Sequence, residues 1–133
     1  MNSKAVLSQA EVSQILAAAR AEAQANQWAV TIVVVDDGGH PLALERLDGC
    51  APGSAYIATE KARTSALGRR ETKSYEDMVN AGRYAFLSAP LLTSLEGGVP
   101  IVFDGQVIGA VGVSGVKPEQ DAQVAKAGAQ NLK

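Results

Sequence analysis

Two short connections that favour positive φ angles limit how this chain can fold. Asp104-Gly105 joins the apolar segments Val99–Phe103 and Gln106–Val113, and this dipeptide is among the strongest short hairpin signals. Asp36–Gly39 (Asp-Asp-Gly-Gly) lies between another pair of strand-like segments. Because a hairpin makes its strands antiparallel, the sequence predicts an antiparallel sheet and not a parallel doubly wound one.

The two strand-like segments on either side of Asp36–Gly39 differ in how their apolar residues are arranged. Ala29–Val35 is dense in β-branched residues and has no polar alternation, whereas Pro41–Leu47 alternates apolar and polar residues imperfectly. An apolar run without alternation is typical of a strand covered on both faces. We therefore expect Ala29–Val35 to lie in the centre of the sheet.

Helical segments flank the two predicted hairpins. Ser8 and Glu11 have the spacing of a capping box ahead of the amphipathic run Val12–Gln24. Three further helices are predicted, two with a serine as N-cap and one with a proline in its first turn: Ser54 to about Leu67, Ser74 to about Ala81, and Pro118 to Lys126. The resulting order α-β-β-α-α-β-β-α predicts an α+β fold, an antiparallel sheet flanked by helices, with residues 1–133 forming one domain.

Composition and charge exclude several classes of protein. The net charge is −2 and the charged residues are scattered, so no basic surface for nucleic acid is expected. The longest apolar run, Trp28–Val35, is too short to cross a membrane, and the first residues lack the pattern of a signal peptide. We expect a soluble, cytoplasmic protein. One cysteine and one histidine argue against an internal disulfide and a structural zinc site, so no metal is predicted.

Three glycines, Gly109, Gly112 and Gly115, recur in the last predicted strand. Glycine weakens a strand, so another group is expected to approach this backbone closely. Two explanations remain open: a helix packed on a smooth sheet face, or a planar ligand lying over the glycines. The spacing is not that of a dinucleotide fingerprint, and neither a Walker A sequence nor a nucleophile elbow is present.

The second predicted helix carries a cluster of reactive side chains among small residues. Glu60 and Arg63 are three positions apart and can touch, with Tyr56 on the same stripe, while Lys61 and Thr64 lie on the neighbouring one. A carboxylate beside a guanidinium stays ionised and can act as a base, and a cation such as Lys61 or Arg46 can hold an anionic substrate or an enolate. The alternative is a solvated helix with an ordinary surface ion pair.

His40 and Cys50 are the two side chains that could ligate a haem iron. His40 lies between Gly39 and Pro41 in the first connection, and Cys50 lies in the following loop. A neutral imidazole or a thiolate can serve as an axial ligand. An exposed histidine and a small, partly buried cysteine are the alternatives.

Five motifs in order resemble the GlcG/HbpS family, of the haem-degrading-domain superfamily. They are VDDGGHPL at 35–42, RLDG at 46–49, EKART at 60–64, GGVP at 97–100 and GAVGVSG at 109–115. The resemblance implies a profilin-like antiparallel sheet with helices on its faces, and a homo-oligomer, either a dimer or a larger symmetric assembly. It also implies one of several functions, because members bind or degrade haem, accompany cobalamin or glycolate pathways, or take part in aromatic-ring catabolism.

The scarcity of histidines and the retained charged cluster favour a cofactor-independent keto–enol tautomerase that acts on a 2-hydroxymuconate-like acid. In this hypothesis Arg46 or Arg63 binds a carboxylate, Glu60 moves the proton and Lys61 steadies the enolate. Four residues complete the expected substrate site: Tyr56, Thr64, Gly112 and Ser114. The alternatives are a haem carrier, sensor or haem-degrading accessory protein, and a non-catalytic assembly subunit. The expected partners are a small anionic acid and further copies of the chain, without nucleic acid or membrane.

Overall fold

The fold is an antiparallel sheet with helices on both faces, as the sequence predicted. The computed structural model describes residues 1–132, so Lys133, the last residue of the predicted single domain, lies outside the described residues. The elements are α1 (Gln9–Ala25), β1 (Thr31–Asp36), β2 (Pro41–Arg46), α2 (Gly53–Gly68), α3 (Lys73–Asn80), a 3₁₀ helix (Tyr84–Ser88), β3 (Gly98–Phe103), β4 (Gln106–Ser114) and α4 (Pro118–Ala129). The predicted order of helices and strands is confirmed, and the 3₁₀ helix is an addition.

Both predicted hairpins form, and they meet in the middle of one sheet. The strand order is β2-β1-β4-β3, and every neighbouring pair is antiparallel. Thr31–Val35 is buried throughout, which confirms β1 as a central strand. The edges are β2 and β3, and each hairpin contains an irregularity in register, between Val34 and Val35 in β1 and between Ile101 and Val102 in β3.

The sheet separates two apolar layers of different thickness. On one face, large aliphatic side chains such as Ile15 of α1 and Val124 of α4 pack against Ile32 and Val113. On the other face, the apolar side chains that α2 buries against the sheet are alanines, and these cluster with Val33, Val35 and Ala110. Small residues allow a helix to lie close to a sheet, so α2 sits nearly on the strand backbones.

Gly112 shows how close this approach is. A Cβ atom at this position would lie 2.1 Å from the carbonyl oxygen of Ala58 and 2.4 Å from the amide nitrogen of Ala62. Helix α2 therefore occupies the space over Gly112. Helix packing is the correct one of the two explanations for this glycine, and the expectation that Gly112 would admit a planar substrate is wrong.

The helix ends confirm one predicted cap and correct two. Ser8 and Glu11 form the expected capping box at the start of α1. The predicted serine caps of α2 and α3 are wrong. Helix α2 begins at Gly53 without a side-chain cap, and the hydroxyl of Ser74 donates to the Glu71 carbonyl at 2.8 Å instead of serving the amide of Asp77.

Helix α4 begins at Pro118 as predicted but continues to Ala129, three residues beyond the expected end at Lys126. Gly128 lies against α1, because a Cβ there would be 3.0 Å from the Ile15 carbonyl oxygen and 3.1 Å from the Ala19 Cβ. Tertiary packing thus stabilises a helix end that local sequence would let fray. Among residues 1–132, no helix combines the length and the apolar character needed to cross a membrane.

Candidate functional site

The exposed side of α2 brings Glu60 and Arg63 together, as the sequence predicted. The Arg63 Nη2 atom lies 3.7 Å from Glu60 Oε1. The connection between the 3₁₀ helix and β3 crosses this pair: Thr93 Oγ1 donates to Glu60 Oε2 at 2.8 Å, and Arg63 Nε donates to the Leu91 carbonyl at 3.1 Å. Both side chains are therefore held in place while they remain partly exposed to solvent, 49% for Glu60 and 28% for Arg63.

Thr64 and Tyr56 have different environments from that pair. Thr64 is buried, and its hydroxyl oxygen accepts a hydrogen bond from the Thr93 amide at 2.7 Å. Thr64 thus anchors the crossing segment and does not face solvent. Tyr56 lies one turn before Glu60 and is 79% exposed, so its phenol is available to a ligand on the outer face of α2.

Lys61 does not join the cluster. Its ammonium group is buried on the opposite side of α2, where it donates to the Val113 carbonyl at 3.0 Å and to Asp121 Oδ2 at 3.1 Å. Burial raises the pKa of Asp121, and the Lys61 ammonium and the Val116 amide partly offset that rise. The ion pair joins α2, β4 and α4 inside the protein. The structure therefore contradicts a role for Lys61 in steadying an enolate beside Glu60.

Arg46 and Ser114 lie at the other end of the sheet. Both are paired across from Thr31, at the start of β1, whereas Arg63 packs beneath the β1–β2 turn at its far end. Five residues of strand separate these positions, which is roughly 16 Å. Ser114 is buried, 7% exposed. The predicted substrate site is thus divided between two distant places.

The β1–β2 turn packs Gly39, the residue before His40, against Arg63, a proximity that the sequence did not reveal. Gly39 adopts φ +81°, and a Cβ atom there would lie 2.7 Å from the Arg63 Cγ. Asp36 Oδ1 accepts hydrogen bonds from the amides of Gly38 and His40, each at 2.9 Å, and lies 3.1 Å from His40 Nδ1. The glycine pair at 38–39 was the available signal, since it permits this close approach to α2.

His40 has the geometry of an accessible ligand, and Cys50 does not. The His40 side chain is 78% exposed. With Nδ1 facing the Asp36 carboxylate, Nε2 is the ring nitrogen directed elsewhere, and a carboxylate on Nδ1 is the usual second partner of a metal-ligating histidine. Cys50 is only 8% exposed, and its sulfur contacts the Thr31 hydroxyl at 3.4 Å. The structure contradicts Cys50 as a haem ligand.

Exposed leucines and arginines lie on the segments that meet at the His40 turn. Leu42 follows it in β2, Leu67 lies one turn beyond Arg63 in α2, and the Leu91 carbonyl is bonded to Arg63; these leucines are 43%, 40% and 64% exposed, respectively. Arg69 donates to the Asp37 carbonyl at 2.7 Å. A flat apolar group bearing carboxylates finds both kinds of partner on this surface, so the residues present fit haem.

Comparisons with known proteins give a consistent picture. Residues 7–130 match the family model described as haem degrading protein HbpS-like. Protein GlcG of Escherichia coli (strain K12) is 68% identical over 114 residues, which cover 86% of this chain and 85% of that protein.

Solved structures extend the similarity to the whole fold. A double mutant of HbpS from Streptomyces reticuli superimposes with a TM-score of 0.89 at 27% identity, covering 100% of this chain and 91% of that one. A complex of PduOC with haem gives a TM-score of 0.86 at 27% identity and covers 96% of each chain. The motifs, the sheet order and these similarities agree, and the chain belongs to the haem-degrading-protein HbpS-like family.

Proposed function

We propose that this protein binds haem at the β1–β2 turn, where His40 is the residue that would hold the iron. The observation that carries the proposal is the contact between Asp36 and His40 Nδ1 at 3.1 Å. A carboxylate at Nδ1 favours the tautomer whose Nε2 lone pair is free to bind iron, and it fixes the orientation of the ring. The haem complex of PduOC, a structure with the same fold, supports the same cofactor.

The surface around His40 supplies the other contacts that haem needs. Arg63 and Arg69 are within reach of the turn and suit the propionate groups. Exposed leucines, Leu42 and Leu91 among them, suit the macrocycle. Bound haem would supply an iron centre that can change oxidation state or take a small ligand.

Because the residues that would hold haem are exposed, one chain would leave part of the bound cofactor in contact with solvent. A second copy of the chain would cover that part, which agrees with the homo-oligomer that the family resemblance implies. Light scattering with and without hemin measures the mass directly. We expect a mass of at least two chains, and a monomer in both conditions contradicts this part of the proposal.

Titration with hemin tests the ligand. The wild-type protein is expected to give a saturable Soret band, and His40→Ala to lose it or shift its maximum. Cys50→Ala is the matched control and keeps the wild-type spectrum, because Cys50 is buried away from the turn. Asp36→Asn is expected to weaken binding by about 10-fold or more, as removal of a second partner usually does. An unchanged Soret maximum and affinity in His40→Ala would falsify the assignment.

A second proposal is that the protein acts as a keto–enol tautomerase on a small unsaturated acid such as 2-hydroxymuconate. It is supported by the position of Glu60, which is held by the Thr93 hydroxyl and adjoins Arg63. In this proposal Arg63 binds a carboxylate, while Glu60 accepts the enol proton and returns it to the conjugated carbon, so no cofactor is needed. Lys61 has no part in this mechanism.

Ketonisation of purified 2-hydroxymuconate tests this second proposal. Glu60→Gln is expected to lower kcat by roughly 100-fold or more, the usual contribution of a general base. Glu119→Gln, a change of the same kind on α4, is the matched control. A Glu60→Gln rate equal to that of the control contradicts the mechanism. A protein that neither binds hemin nor ketonises the acid is expected only under the third hypothesis, the assembly subunit.

A further inference from the structure

A surface cleft of about 500 Å³ lies between the last turn of α1 and the end of β2, far from His40. We propose that this cleft binds a small aromatic carboxylate, with the ring against Trp28 and the carboxylate on Arg46. The volume falls within the range of small-molecule sites. The proposal is independent of both functions proposed above, because no residue of the His40 turn or of the Glu60 cluster lines the cleft.

Two arginines line the cleft, and only Arg46 has no carboxylate partner among the described residues. Arg20 and Glu45 form a two-pronged ion pair, in which Arg20 Nη2 donates to Glu45 Oε2 at 3.0 Å and Nε donates to Oε1. This pair neutralises itself and forms a fixed wall. Among residues 1–132, no ion pair joins Arg46 to a carboxylate, so its guanidinium is free for an anion.

Trp28 is fixed by the end of α1 and presents its ring to the cleft. The Trp28 amide donates to the Ala23 carbonyl at 2.9 Å, and the Gln27 amide donates to the Gln24 carbonyl at 3.1 Å. These bonds satisfy two carbonyls at the end of α1 and fix the backbone that carries Trp28. The indole is partly buried and packs against the core, and a partly exposed indole favours a flat apolar partner.

Gln27 adds a polar group at the position where a helix of this kind usually ends with glycine. Its φ is +59°, in the left-handed region, and its side chain contributes to the cleft lining. A glycine would satisfy the backbone with less strain but would leave no side chain there. The amide can bond to a polar substituent of the ligand.

Asp48 makes the electrostatic argument testable, because it lines the same cleft and carries the charge that opposes an anion. A carboxylate ligand is attracted by Arg46 and repelled by Asp48, so the two residues should act in opposite directions on its affinity. A neutral ligand of the same shape should respond to neither. This pattern separates a built anion site from nonspecific contact with the indole.

Fluorescence gives a local measurement, because Trp28 is the only tryptophan. The full chain is titrated with benzoate, with benzamide as the neutral analogue and cyclohexanecarboxylate as the non-aromatic one. We expect a saturable change with benzoate and weaker binding of both analogues. Arg46→Gln should weaken benzoate binding at least 10-fold, and Asp48→Asn should strengthen it several-fold. Arg83→Gln, on another exposed arginine, and His40→Ala should leave it unchanged.

Three results overturn the proposal. One is a fluorescence change that rises linearly with benzoate and never saturates. The others are saturable binding that is equal in the wild type and in Arg46→Gln, and saturable binding that is equal for benzoate and benzamide. Circular dichroism of each variant establishes that Arg46→Gln is folded. Saturable benzoate binding that persists in His40→Ala separates this site from the proposed haem site.

Discussion

Removing Lys61 is expected to destabilise the protein strongly and in a way that depends on pH. Lys61 and Asp121 are 4% and 2% exposed, and their charged atoms are 3.1 Å apart. Loss of one partner leaves an uncompensated buried charge, which costs about 3–5 kcal/mol. A chain of 133 residues has a free energy of unfolding of roughly 7–15 kcal/mol. Lys61→Met should therefore remain folded with much reduced stability.

The pH dependence follows from the remaining carboxyl. Burial raises the pKa of Asp121 above its ordinary value of 3.8, and removal of the Lys61 ammonium raises it further. A raised folded-state pKa gives a stabilising contribution that is fully present below the unfolded pKa and is lost as the pH rises through the folded one. The stability difference between wild type and Lys61→Met should therefore be largest at neutral pH and shrink as the pH falls towards 4.

Urea unfolding followed by circular dichroism, repeated between neutral and acidic pH, measures both effects. The double variant Lys61→Met/Asp121→Asn is the control, because Asn removes the charge and keeps an acceptor for the Val116 amide. It should be more stable at neutral pH than either single variant. A Lys61→Met deficit below about 1 kcal/mol, or single effects that simply add in the double variant, would refute the buried-pair argument.

Three further substitutions test a helix cap, a close helix–sheet contact and a buried hydrogen bond. Ser8→Ala should lower the free energy of unfolding by about 1 kcal/mol, the usual value of an N-cap, as seen in urea midpoints. Gly112→Ala should cost about 3 kcal/mol or more, because the new methyl group meets the Ala58 backbone; thermal melting measures it. Thr72→Val should cost about 1–3 kcal/mol, because the Gly98 amide loses its acceptor at 2.8 Å. An unchanged melting temperature in Gly112→Ala contradicts the close contact with Ala58, and one in Thr72→Val contradicts the hydrogen bond to Gly98.

Local sequence predicted the hairpins and the central strand because turn residues and β-branching act over a few positions. Asp104 and Gly105 both have positive φ in the structure, 54° and 74°, as a tight hairpin connection of this kind requires. The Ser8 capping box succeeded for the same reason. The predicted cap of α2 failed because the helix already begins at Gly53, which places Ser54 inside it. The predicted cap of α3 failed because a serine near a helix start can bond elsewhere, and Ser74 bonds the Glu71 carbonyl.

Of the contacts in the candidate site, the sequence predicted only the one between two residues of the same helix. Glu60 and Arg63 touch because they are three residues apart, and helical spacing alone brings them together. The predicted role of Lys61 beside Glu60 was wrong because Lys61 pairs with Asp121. That partner is 60 residues away in sequence, and no local pattern reveals it. The same limit applies to Thr93, whose hydroxyl reaches Glu60 from a segment 33 residues away in sequence.

Trp28 and the cleft beside it were missed for a related reason. The tryptophan begins an apolar run, and nothing in its local sequence indicates a ligand site. The cleft exists only because β2 and the residues after it bring Arg46 and Asp48 alongside α1. Arg46 was identified as an anion-binding residue from its chemistry. Its location at the opposite end of the hairpin from Arg63 could be known only from the register of β1 with β2.

Each edge strand of the sheet, β2 and β3, contains a proline, which limits strand pairing between copies of this chain. Pro41 begins β2 and Pro100 lies within β3, so each border of the sheet has a position without an amide hydrogen to offer a neighbouring strand. Such prolines discourage the stacking of sheets edge to edge, the route by which β-rich proteins form fibres. Any association between copies would then use side-chain surfaces, where it can stop at a defined number of subunits and need not continue indefinitely.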